Sequence, residues 1–140
     1  MNFDAIVKDL PVLFCALFVA ILFVQSGLDK VLDWSGNLGF LKDHFSKTVL
    51  AGSVPMMLAT ITVLEIATGL LAAAGIIYLL ISGSMSLVFY SAVLGTATLT
   101  ALFFGQRVAK DYPGAAVLVP YFLVLVLLLI LSGPAPSRGM

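Results

Sequence analysis

The sequence predicts an all-α integral membrane protein, a bundle of four spanning helices, and three observations carry this. Of 140 residues, 61% are hydrophobic and 10% charged, with a mean hydropathy of +1.16; a soluble core needs less apolar material than that. Four apolar stretches, at about residues 10–28, 56–81, 85–105 and 115–131, each approach the roughly 20 residues that a spanning helix requires. No stretch alternates polar and apolar positions as a membrane barrel would, and Leu123 to Leu131 is continuously apolar. A backbone in lipid must satisfy itself, and here only helices do so.

The first stretch follows Lys8, and Val24, Gln25 and Ser26 could pass for a signal-peptide cleavage site. It is read instead as a retained helix. The connection 29–54 is the only long one, which suits a loop with its own job. Phe40, Leu41, Phe45, Val49 and Leu50 recur within it near helical spacing, compatible with a short amphipathic helix at the interface; a plain connector over the bundle end is the alternative. Ser82, Gly83 and Ser84 allow only a tight turn, so the second and third spans should be antiparallel neighbours. The fourth stretch is the shortest. Pro55 and Pro120 are expected near helix ends, and the Gly- and Pro-rich tail 132–140 is expected to leave the membrane without packed structure.

Four spans place both termini on one side. The first and third connections hold Lys30, Lys42, Lys47, Arg107 and Lys110, against Lys8 and Arg138 opposite. The positive-inside rule then puts both termini outside the cytoplasm, with Trp34 and Tyr112 as loop-side interface anchors.

Several function classes drop out on composition. Net charge is zero with no basic run, which removes the electrostatic case for nucleic acid. The single cysteine, Cys15, forms neither an internal disulfide nor a CxxC pair. His44 is the only histidine, so no histidine pair can hold a haem, and it is read as an ordinary interfacial residue. Asp4, Asp9, Asp29, Asp33, Asp43 and Asp111 lie near helix ends or in loops without metal-ligand spacing, so neither a metal centre nor a resident cofactor is expected.

Glu65 is the anomaly. A carboxylate at the centre of a spanning helix costs roughly 2.5–3.5 kcal/mol on insertion scales and is turned inward, paired or protonated. At a rise of about 1.5 Å per residue it lies roughly 15 Å beyond Pro55, near the middle of the hydrocarbon. Lys30, at the loop end of the first helix, is expected to fall short of it. Thr96, at nearly the same depth on the third span, is expected as its hydrogen-bond partner, with Thr98 and Thr100 nearer the loop and Thr68 one turn along the second span. Each threonine could instead bond its own preceding turn. Glu65, Thr68, Gly69 and Ala72 share one helical face, so the acid should point at a neighbouring helix; Ala73 and Gly75, with Ser91, Ala92 and Gly95, add small residues that permit close approach.

Phe23, Gly27 and Lys30, followed by Val54-Pro55, Glu65 and Gly69, together resemble the pattern of DoxX-like membrane proteins over roughly residues 17–100. The resemblance implies a four-helix protein of the cell inner membrane, often associated with redox complexes, with some relatives linked to quinone-coupled thiosulfate oxidation. Members often carry an arginine that would align near Ala16, and this chain has no basic residue there. If that arginine normally balances the acid, Glu65 lacks its counter-charge and is expected to be protonated at neutral pH.

The leading expectation is a non-catalytic accessory subunit, docking through its lipid-facing leucines and valines and its small-residue faces to a larger membrane redox complex. The first alternative is a quinone-linked oxidoreductase component of the thiosulfate:quinone type, with Gln25, Asp29 and Lys30, or Tyr90 or Tyr121, at a headgroup. The second is a small proton-linked carrier using Glu65, for which the sequence offers no evident second ionisable group.

Overall fold

The computed structural model describes residues 3–134. Its helices run α1 Phe3–Leu32, α2 Trp34–His44, α3 Val54–Ser82, α4 Ser86–Val108 and α5 Tyr112–Ser132, with a 3-10 turn at Ala51–Ser53. The protein is an all-α membrane bundle: among the described residues, four of these helices, all but α2, are long and apolar enough to cross a bilayer. Each exceeds its sequence-based span at one end or both, because interfacial turns continue the helix past the apolar run. Of the tail, 135–140 lies outside the described residues; before it, α5 runs through Ser132. Pro120 also departs from expectation. It sits inside α5, and Pro11 inside α1, each removing one backbone hydrogen bond.

Glycines set the packing. Gly27 faces Ile66 and Gly69 faces Val24, so α1 and α3 run antiparallel with backbones in close approach; a Cβ on Gly69 would lie 2.7 Å from the Val24 nitrogen. Gly75 meets Val88 across the α3–α4 seam, and Gly95 meets Leu125 and Thr68 where α4, α5 and α3 converge. The core runs along these seams through Val19, Phe23, Ala72, Leu79, Leu99 and Leu125. The small-residue faces expected to dock to a larger enzyme are therefore spent inside the bundle.

The turns are as tight as the residues allow. Gly83 closes α3 at φ 77°, left-handed backbone that suits glycine, and its N–H donates to the Leu79 carbonyl. At the other end of α4, Asp111 caps α5 by accepting the Gly114 N–H at 2.9 Å, and Arg107 lies 4.4 Å from the centre of the Tyr112 ring.

The long connection contains a helix, but earlier than the spacing suggested: of the five apolar residues only Phe40 and Leu41 lie in α2, Phe45 follows its last residue, and Val49 and Leu50 lie in the turns beyond. Phe45 is buried beneath α2, whereas Phe40 and Val49 are exposed. The Gly27–Ile66 register makes α1 end about level with Ile61, leaving the first two turns of α3, roughly 10 Å, standing beyond it. Helix α2 packs into that step against α1 and α3.

Candidate functional site

The same register brings Glu65 about level with Leu28, within about 3 Å of axial rise of Lys30. Lys30 therefore does not fall short. Its ammonium stands 2.8 Å from Glu65 Oε1, and Glu65 is buried at 3% exposure. Glu65 therefore has a counter-charge, supplied from the last turn of α1. At that distance the two form a charge-assisted ion pair. Lys30 also reaches the Ser26 carbonyl, at a long 3.5 Å.

Thr96 is not the partner of Glu65. Its hydroxyl donates to the Ala92 carbonyl at 2.6 Å, Thr68 donates to Leu64, and Thr98 and Thr100 donate to Leu94 and Thr96. A hydroxyl in an apolar bundle finds its nearest acceptor one turn back on its own helix, and all four do so. Gln25 and Asp29 are exposed on the outer side of α1, along a shallow depression away from Glu65. Tyr90 is exposed beside Phe89, and Tyr121 is half-buried, 6.2 Å from Phe18. Of the residues read from the sequence, Lys30 and Glu65 are brought together; Thr68 is buried one turn away without bonding to them.

In the step beyond the end of α1, a cavity of about 270 Å³ opens between α1, α2, α3, α4 and the start of α5. Lys30 stands in its wall, with Asn37, His44 and Gln106 as the other polar lining groups; the rest is apolar, including Leu58 and Leu102. Asn37 is occupied, donating to the Asp33 carbonyl at 2.8 Å. His44 Nε2 is 2.8 Å from Gln106 Oε1, so that nitrogen is the donor, and Asp111 Oδ2 lies 3.6 Å from it. Phe40 stacks on the imidazole and Phe45 meets it edge-on.

His44, Gln106 and Asp111 are the residues that sequence reading missed. They are 62 or more positions apart for the histidine and its partners, and only the folded connection unites them. Gly114 keeps the cluster compact, since a Cβ there would lie 2.5 Å from Asp111 Oδ2 and 2.7 Å from Gln106 Nε2. One local signal was available: aromatic residues at 40 and 45 flanking His44.

Beside the cavity, a wholly apolar groove of about 240 Å³ lies between α4 and α5, lined by Leu99, Phe103 and Phe122 among others. Leu118 forms part of both walls. The arrangement is a polar-ended cavity at the loop side with an apolar channel next to it, the general form of a site for a headgroup and its tail. Comparison with known proteins adds nothing to this geometry: no family model matches the chain, and no curated protein or solved structure matches it either.

Proposed function

We propose that this protein is a membrane-embedded binding subunit that holds the headgroup of a single-tailed amphiphile in its loop-side cavity and serves a larger membrane redox complex. One observation carries the binding half: Lys30, Asn37, His44 and Gln106 line a cavity otherwise apolar and next to the α4–α5 groove. Pockets for small ligands have this composition, a few placed polar groups in an apolar wall. The redox association rests on the resemblance to DoxX-like proteins alone. A quinone is the ligand that resemblance implies, its carbonyl oxygen accepting from Lys30 or the Gln106 carboxamide N–H, with electrons handled by a partner subunit. The orientation belongs to the same reading: inner membrane, with Lys42, Lys47 and Lys110 on the cytoplasmic side and both termini across the membrane.

The accessory role without a ligand is the weaker reading here, because the small-residue faces that would have docked are consumed by the internal seams. The test is co-purification from native membrane in polymer discs. A stoichiometric amphiphile with a redox partner supports both halves; a partner without a bound small molecule supports only the accessory role.

A further inference from the structure

The charges around the cavity select among amphiphiles. Among the described residues its lining contains one ammonium, one imidazole and two carboxamides, and no carboxylate. Glu65 is not in the lining; it stands behind Lys30, buried, with Oε1 held by that ammonium. Among the described residues, Glu65 is the carboxylate that Lys30 pairs with, and the other elements bring no second one to it. Helix α4 carries only Arg107, held over Tyr112 at the outer end; α5 carries no Asp, Glu, Lys or Arg; and α2 brings Lys42, Asp43 and His44. Asp111 is occupied by the α5 cap and the His44 contact.

We propose that the ligand of this cavity is a singly charged oxyanion on one apolar tail, such as a long-chain acid, and that it binds together with one proton. The inference rests on the binding reading above. The incoming anion takes the Lys30 ammonium from Glu65 and accepts a further bond from the Gln106 carboxamide N–H. Glu65, left as a lone carboxylate in an apolar bundle, takes a proton from water at the loop side, since a buried unpaired charge neutralises. The balance closes: anion and proton enter, the Lys30–Glu65 pair becomes a Lys30–ligand pair plus a neutral carboxyl, and net charge inside stays at zero. A neutral carbonyl ligand that drew Lys30 away would leave an uncompensated positive charge, so it can only share the ammonium with Glu65 and carries no proton. At about 270 Å³ the cavity takes a headgroup with its first methylenes. The remaining tail follows the α4–α5 groove past Leu118.

The test uses the full chain in phosphatidylcholine discs and hexadecanesulfonate, an anion across the range studied, with decylubiquinone as the neutral comparison. Sulfonate binding should tighten by up to tenfold per unit fall in pH, because each anion brings one proton. In weakly buffered solution, up to one proton per bound anion should leave the medium, a readout that needs no variant. Glu65→Gln should bind the sulfonate tightly and independently of pH, and Lys30→Met should lose it. Competition by lysophosphatidylglycerol would assign the natural oxyanion to a single-tailed membrane lipid; its absence would assign it to a free acid. Sulfonate binding without pH dependence or proton uptake overturns the inference, as does pH dependence unchanged in Glu65→Gln. Binding of decylubiquinone but not sulfonate also overturns it while leaving the amphiphile site standing, and binding of neither removes the site itself.

Discussion

Lys30 and Glu65 meet at 2.8 Å inside the bundle, the lysine from the last turn of α1 and the glutamate from the twelfth position of α3. The pair joins the α1–α3 seam to the loop-side cavity, because the lysine is shared by both.

Removing one partner strands the other. Lys30→Met should destabilise the protein by about 3–5 kcal/mol at neutral pH, the usual cost of leaving a buried charge uncompensated. The deficit should shrink as pH falls, since protonating Glu65 removes the charge that lost its partner. Lys30→Met with Glu65→Gln should recover most of the loss, which makes the two effects non-additive. Thermal unfolding of Lys30→Met, Glu65→Gln and the double variant in one detergent, at two pH values, checks this.

The glycine seams should respond steeply to one carbon. Gly69→Ala pushes a Cβ against the Val24 backbone nitrogen, and Gly75→Ala against that of Val88, at 2.7 and 2.8 Å. Backbone cannot swing aside as a side chain can, so a loss of about 1–3 kcal/mol is expected for each. Gly39→Ala is the control: it lies inside α2 with nothing within 4 Å of the added carbon. It should stabilise that helix by up to about 1 kcal/mol.

Gly83→Ala tests the turn rather than the packing. Open space surrounds the position, but φ is 77°. A Cβ in left-handed backbone costs about 1–2 kcal/mol. The unfolding midpoint should fall with no change in the α3–α4 contacts, as read by cross-linking of cysteines placed along that seam.

Helix α2 contains no buried residue, and His44, bonded to Gln106, fixes its end. Gln106→Leu should cost about 0.5–1.5 kcal/mol, the net worth of one ordinary hydrogen bond. The loss should be local. Hydrogen exchange should speed up in residues 34–44 while the spans remain protected.

The spans and the tight Ser82–Ser84 turn were legible because apolar run length and turn chemistry are local properties of the chain. The inward direction of Glu65 was legible too, since Thr68, Gly69 and Ala72 mark one face at helical spacing. The Lys30 contact was not. Depth measured from Pro55 places Glu65 correctly along its own helix, but the stagger of α1 against α3 comes from where Gly27 and Gly69 let the backbones meet. Thr96 misled for the opposite reason: shared depth did not outweigh a carbonyl one turn away. The cavity depends on α2 filling the step beyond α1, and α2 is the least apolar of the five helices, so nothing in its own residues announces where it docks.

The central claim is that the loop-side cavity holds an amphiphile. Native mass spectrometry of the protein released from its own membrane tests it most directly, with wild type compared against Ala101→Phe, which places a ring in the cavity wall. The account predicts one bound amphiphile per wild-type chain, and an unliganded variant of unchanged helix content. Equal retention by both proteins, or none by wild type, would contradict it.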